Sequence, residues 1–454
     1  MLSTPLLTLL TLFACRSPEL VDLPCDPEAP PSSPDTPALV FDGERPKNLL
    51  MISMDTFRKD RVGRYGPGPV GDLDTDFFDR LLSEGVALDD HRSCSNWTYP
   101  GMLCALTGQG PLELDFIAMT NTGSEPPSVP GRIDFIGDWM GEAGFSTHLI
   151  TANGLIGKKF DFARAYQEVR EVASQPADTV NSYATDLLYD LREQEQPWFV
   201  HLHYIDPHIT YAPPDEYLEG LADLPPLEEA VYIKSALLEI DDKLGRYSEE
   251  EVDLIKQHLR VYYDGEIAWL DDSVEALFET LAAYGLDEDT LVVMYTDHGE
   301  QFWDHGQVLH HKGVYQEETD ALALFWSPGL KPTAWSAPTT HADLVPTIFE
   351  ALALQPPPEV SGAVVGTEPE VCARFAHAID EETGTQSVDY GDLRMVYHWN
   401  GDLELYDRAA DPAEANDLYE RGSEAVQLLW SFLSPKVDEL DALHPNDKPR
   451  QPRI

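Results

Sequence analysis

The sequence predicts an α/β fold with a main, mostly parallel sheet, followed by a small antiparallel sheet and a helix. Three observations predict it. The runs Asn48-Leu-Leu-Met-Ile-Ser-Met54 and Thr290-Leu-Val-Val-Met-Tyr295 are apolar and bounded, as buried strands are. From residue 46 onward, strand-like and helix-like patterns alternate, the signature of parallel strands joined by crossovers. After Pro356-Pro357-Pro358 the character changes, and two short strand patterns flank Asn400-Gly401, a hairpin signal.

The elements follow in order. Residues 1–15 form a short apolar segment that reads as a signal peptide core, too short to span a membrane. Leu12-Phe-Ala-Cys15 resembles a bacterial lipobox, with Cys15 as the lipidated residue, so anchoring without spanning is expected. Residues 16–45, rich in Pro, Ser, Asp and Glu, read as a disordered linker. Strands are expected at 48–54, 146–151, 197–205, 290–295 and 322–326. Helices are expected at 134–144 with Gly144 as C-cap, 179–195, 248–283 and 343–354. The last part, 356–454, should hold strands at 395–399 and 403–406 and a helix at 424–433. The main domain is thus 46–355 and the subdomain 356–454.

Net charge is −51, from 81 acidic and 30 basic residues. This excludes a nucleic-acid binder, whose affinity rests on Lys and Arg contacts to phosphate. Cys25, Cys94, Cys104 and Cys372 allow three disulfide pairings, and sequence does not choose among them.

The chemistry-bearing residues collect at strand ends. Asp55 closes the first apolar run, and Asp297-His298-Gly299-Glu300 closes the later one. In open α/β sheets, ligands bind beyond the carboxyl ends of the strands. Carboxylates and an imidazole delivered to one edge suit a divalent metal. Three further segments belong with them: Ser95-Asn-Trp-Thr98-Tyr-Pro100, His201-Leu-His203-Tyr-Ile-Asp206-Pro-His208-Ile-Thr-Tyr211, and His310-His311-Lys312-Gly313-Val-Tyr315.

These segments, in this order over about residues 46–420, resemble the sulfatase family within the alkaline phosphatase superfamily. The resemblance implies an alkaline-phosphatase-like α/β/α sandwich and assigns 46–355 as the catalytic domain. It implies Asp55, Thr98, Asp297 and His298 as metal ligands and Thr98 as nucleophile. It places His208 and His311 where the anion is held or the leaving group protonated, with Lys312 and His310 as further candidates. Family sulfatases convert a Cys or Ser in Cys/Ser-x-Pro-x-Arg to formylglycine. Here Thr98-Tyr-Pro100-Gly101-Met102 stands in that place, and Thr cannot be so converted. Relatives with Thr usually act on phosphoesters or phosphonates. Thr56 replaces the family's second Asp, which moves the expected ion from calcium towards manganese or zinc.

A Thr hydroxyl is a weak nucleophile unless a metal lowers its pKa, and an anionic ester needs a cation to neutralise repulsion. The expected function is therefore metal-dependent hydrolysis of sulfuric or phosphoric esters, phosphoester chemistry being favoured by the residues. The substrate would be a small-molecule, glycan or lipid-headgroup ester, and the protein exported and lipid-anchored. The alternatives are a non-catalytic sulfatase-like lipoprotein and a phospho-headgroup transferase. Plainer roles stand beside these. Thr98 can N-cap the helix that follows. His203 reads as packed, or as supporting a ligand. Trp97 reads as core, and Glu300 and Asp304 as solvated.

Overall fold

The computed structural model describes residues 39–71, 73–114, 128–366, 373–379, 384–443 and 452. The lipobox, the linker, Cys25 and Cys372 lie outside them. The two apolar runs are immediate neighbours. Strand β1 (Asn48–Met54) pairs in parallel with Thr290–Thr296 on one side and Trp198–Tyr204 on the other. Met54 aligns with both Thr296 and Tyr204, so Asp55, Asp297 and the His208 segment leave the sheet at one edge. Ser146–Thr151 and Glu168–Glu171 extend the sheet in parallel. Beyond Thr290–Thr296 come Ala323–Trp326, antiparallel, then Val86–Leu88 and Thr333–Trp335, which complete eight strands.

Both faces of this sheet are covered, which is why its strands read as nearly continuous apolar runs. Leu50, Ile52 and Met54 pack to one side with helices α1 (Asp76–Glu84), α4 (Ala177–Leu191) and α6 (Glu249–Ala283). Leu49 and Met51 pack to the other with α2 (Thr98–Thr107), α3 (Ile136–Glu142) and α7 (Leu344–Ala351). A further helix, α5 (Lys234–Asp242), lies in the long connection before α6. The α/β/α sandwich is the expected one.

Helix ends differ from the expected bounds by a few residues. Ser248 caps α6 reciprocally with Glu251, a capping box that fixes its start. The C-terminal antiparallel sheet (Ala373–Ile379, Gly384–Tyr390, Leu393–Tyr397, Leu403–Asp407) has its own core with α8 (Glu424–Leu443). The Asn400-Gly401 turn forms, with Gly401 at φ 94°. Helix α8 was expected to end at 433, yet it continues through Pro435 because Val437 and Leu440 are buried beyond it. A buried ion pair ties this part to the main domain: Asp389 meets Arg92 at 2.5 Å, while Arg394, on the adjacent strand of the same C-terminal sheet, holds Asp389 at 2.8 Å.

Of the cysteines in the described residues, Cys94 and Cys104 form a disulfide. It closes the segment that carries Thr98. Among the described residues no helix is long and apolar enough to cross a membrane.

Candidate active site

A carboxylate oxygen of Asp55, one of Asp297 and a ring nitrogen of His298 lie within 4.8 Å of one another, all fully buried. Thr98 Oγ1 is 3.5 Å from each Asp55 oxygen and 3.5 Å from His298 Nε2. Thr98 is the first helical residue of α2, and Trp97 occupies the cap position, so the N-cap role expected as an alternative is not the one Thr98 has. Its hydroxyl faces the carboxylates instead. Gly101 lets the helix sit there: a Cβ at that position would lie 3.0 Å from the Asp297 carbonyl oxygen. The residue after His298 is constrained more strongly, since a Cβ on Gly299 would meet the Glu317 carbonyl at 2.0 Å.

The hydrogen bonds of His298 fix its chemistry. Its Nδ1 lies 2.8 Å from the Gly299 carbonyl and must donate to it, since a carbonyl only accepts. Burial first, then His310, holds the His298 pKa down to about 3 against the pull of Asp55, so the ring is neutral. Its Nε2 therefore carries a lone pair, 3.6 Å from Asp55 Oδ1 and 3.7 Å from Asp297 Oδ2. Asp297 Oδ2 has no hydrogen-bond partner. Burial and the neighbouring Asp55 push the Asp297 carboxyl well above the usual range. Burial would raise Asp55 too, but His208, His203 and His298 hold it below that range. Two carboxylates and the lone pair of a neutral ring, converging in a fully buried cluster, fit a divalent cation.

Asn153, which sequence reading missed, completes the cluster. Its Nδ2 donates to Asp55 Oδ2 at 2.5 Å and lies 3.4 Å from Thr98 Oγ1. It follows the strand Ser146–Thr151 at the same sheet edge, so the strand-end rule that picked out Asp55 could have found it. Thr56, standing where the family has Asp, has φ 55° and donates its backbone N–H to Asp297 Oδ1 at 3.1 Å.

The histidines line one wall. His208 is half-buried, its Nδ1 donating to the Ile209 carbonyl at 2.7 Å. The His310 ring lies 5.5 Å from that of His208 and 4.7 Å from that of His298. His311 stacks on His310 at 4.3 Å and approaches Trp97 at 5.2 Å. Burial and neighbouring histidines push the His310 and His311 pKa values well down. Lys312 is exposed. One expectation is corrected: Glu300 is fully buried rather than solvated, pairing with His310 Nδ1 at 2.9 Å and accepting from the Tyr211 hydroxyl at 3.3 Å. Burial raises its pKa to about 7. Asp304 pairs with Arg58 at 2.9 Å.

A family model described as Sulfatase matches residues 47–354. The chain belongs to the sulfatase family of ester hydrolases. Choline-sulfatase of Rhizobium meliloti (strain 1021) is 24% identical over 304 residues, 60% of this chain and 58% of that protein. The chain thus matches a little over half the length of that relative. The uncharacterized sulfatase YidJ of Escherichia coli (strain K12) is 22% identical over 438 residues, 82% of each chain. Solved structures share the fold, and two illustrate it. BT4656, in complex with its substrate D-glucosamine-2-N,6-O-disulfate, superposes with a TM-score of 0.70 at 16% identity, over 90% of this chain and 100% of that one. The phosphonate monoester hydrolase of Agrobacterium radiobacter does so with 0.65 at 18%, over 88% and 96%.

Proposed function

We propose that this protein is a metal-dependent hydrolase of anionic esters in which unmodified Thr98 is the nucleophile. Asp55, Asp297, His298 and the Thr98 hydroxyl hold one divalent ion. The observation that carries this is the His298 tautomer: with Nδ1 committed to the Gly299 carbonyl, Nε2 aims a lone pair at the same point as Asp55, Asp297 and Thr98. Two carboxylates and one imidazole, without a third acid, favour manganese or zinc over calcium.

When bound, the ion supplies positive charge that offsets the anionic ester and lowers the pKa of the Thr98 hydroxyl. Thr98 Oγ1 would release its proton to solvent water as it bonds to the phosphorus or sulfur atom, and the bond to the leaving oxygen would break. His208 and His311, with His310 beside them, hold the ester oxygens and deliver a proton to that leaving oxygen. The resulting threonine ester has no second hydroxyl through which to expel its group. Water must therefore attack the bound phosphorus or sulfur, releasing the acid and restoring the Thr98 hydroxyl. That route favours phosphoric over sulfuric esters. The net charge of −51 disfavours a long polyanion as the substrate. Small-molecule, glycan or lipid-headgroup esters fit, handled by a protein exported and tethered through Cys15. In this reading 46–355 is the catalytic domain and 356–454 its accessory part.

The test is turnover of nitrophenyl phosphate, phosphodiester, phosphonate and sulfate esters by the purified chain with added manganese, zinc or calcium. Metal-dependent turnover, fastest on a phosphorus ester, is expected. Sulfate as the best ester would overturn the phosphoester preference. No metal binding and no turnover would overturn the enzyme reading.

A further inference from the structure

Next to Asp55 lies a chain of buried polar side chains that the chemistry above does not use. The Tyr166 hydroxyl is 2.8 Å from His201 Nδ1. His201 Nε2 is 2.9 Å from Ser53 Oγ. Ser53 Oγ is 2.7 Å from His203 Nδ1. His203 Nε2 is 3.5 Å from Asp55 Oδ2. Ser53, His201, His203 and Asp55 are fully buried, and Tyr166 is 7% exposed. Sheet register builds the chain: His201 and His203 share a face of their strand, and Ser53 aligns with His203 across the parallel pair. Tyr166 is fixed against Phe199 and His201.

Either direction of hydrogen bonding satisfies the three short links, and the Asp55 carboxylate, 3.5 Å from His203 Nε2, selects the one that turns a proton rather than a lone pair towards it. Burial pushes the Tyr166 pKa well up and that of His201 down to about 3, so the first is a phenol and the second a neutral ring. Tyr166 has one proton, and giving it to His201 Nδ1 places the His201 proton on Nε2. That N–H donates to Ser53 Oγ, whose own proton goes to His203 Nδ1. The longer contact from Ser53 to the Leu202 carbonyl, at 3.5 Å, competes poorly. His203 then carries its proton on Nε2, facing Asp55. In the reverse direction His203 would turn a lone pair on the carboxylate. The cluster around Asp55 that closes within 4.8 Å contains Asp297 and His298 but not His203. His203 thus stands beside the carboxylate rather than within the ligand set.

We propose that Tyr166, His201, Ser53 and His203 form a directional relay that fixes His203 as an Nε2–H donor and so positions Asp55. Asn153 donates to Oδ2 and His203 Nε2 faces the same oxygen at 3.5 Å as a longer, charge-type contact, which leaves Oδ1 turned towards His298. His203 is a positioning residue, and the relay works by orientation and tautomer. Its effect on the metal rests on the reading of Asp55 as a ligand; its effect on the His203 tautomer does not.

Two measurements separate these. Nitrogen-15 spectra of the metal-free, histidine-labelled full chain should place the His203 proton on Nε2, its signal assigned by loss in His203→Gln. Tyr166→Phe and Ser53→Ala should each mix the two tautomers. A proton on Nδ1 of His203 in the unaltered protein, or spectra unmoved by both substitutions, would overturn the relay whatever the metal does. The second measurement is calorimetric titration with zinc. His203→Leu should weaken binding about 10- to 100-fold, the usual effect of losing a partner of a metal ligand. His203→Gln, which keeps an N–H near the Nε2 position, should recover most of that loss. Equal affinity in the unaltered and Leu proteins, or no recovery by Gln in a variant that melts cooperatively, would overturn the positioning role. Zinc binding absent from the unaltered protein itself would overturn the metal reading and the positioning of a ligand with it, while the tautomer spectra still decide the relay.

Discussion

Thr98 Oγ1 is equidistant, at 3.5 Å, from the two carboxylate oxygens of Asp55. A hydroxyl so placed is poised beside the charge cluster rather than spent on a cap. Thr98→Ala should therefore lower kcat by roughly 10³-fold or more while leaving the fold intact, since a nucleophile acts in the transition state. Thr98→Ser should retain a substantial part of the rate. Single-turnover kinetics on the best ester check this. A Thr98→Ala protein within about tenfold of the unaltered rate would remove Thr98 from the chemistry.

Asp297 and Asp55 are buried side by side, and the Asp297 carboxyl is pushed well up by burial and by Asp55. In metal-free protein that juxtaposition is unfavourable, and a cation relieves it. Asp297→Asn keeps an acceptor for the backbone N–H groups of Thr56 and His298, both of which donate to Oδ1. The substitution should raise the stability of metal-free protein by on the order of 1–3 kcal/mol and abolish metal binding. Urea unfolding in chelator, beside calorimetry with manganese or zinc, checks both signs together. Loss of stability in chelator would contradict the charge argument. Saturating metal, at about 100 times Kd, should add roughly 2.7 kcal/mol to the unaltered protein and nothing to the variant.

The disulfide between Cys94 and Cys104 spans ten positions and encloses Thr98. A cross-link of that loop length is worth about 2–3 kcal/mol in the chain-entropy account. Cys104→Ala should cost about that much and loosen the nucleophile turn, so kcat should fall alongside the midpoint of thermal unfolding. Mild reduction should reproduce the effect. An unchanged midpoint under reducing conditions would mean that the bridge does not form in the protein.

What sequence could reveal follows from how local each feature is. The strands before Asp55 and Asp297 are long, apolar and buried on both faces, so their ends point to the site without knowledge of the fold. Val86–Leu88 and Thr333–Trp335 are three residues each and too short for any periodicity. Glu300 looked solvated because its partner His310 is brought back by the paired segments Gln301–Phe302 and Val308–Leu309, with left-handed backbone at Leu309 and His311. The relay beside Asp55 depends on the register of two strands 150 residues apart. The cysteine pairing, likewise, needed the turn that places Cys94 beside α2.

His305 donates from Nε2 to the Glu414 carbonyl at 3.0 Å and from Nδ1 to Glu317 Oε1 at 2.7 Å. A ring that donates from both nitrogens is an imidazolium. Burial would lower its pKa, but the Glu317 hydrogen bond and charge outweigh that and hold it up to about 9. The unfolded value is near ~6.5, so the folded pKa is the higher one. The stability His305 contributes is then fully present below about pH 6.5 and is lost as pH rises through about 9. His305→Gln should cost on the order of 1–2 kcal/mol at pH 6, allowing for solvent screening of a half-buried ion pair. The gap between the two proteins should narrow steadily through pH 8 and nearly close by about pH 10. Urea midpoints at four pH values measure it. A gap that stays flat over that range would mean that His305 is neutral in the fold, and the clamp between Glu317 and the C-terminal segment would then be an ordinary hydrogen bond.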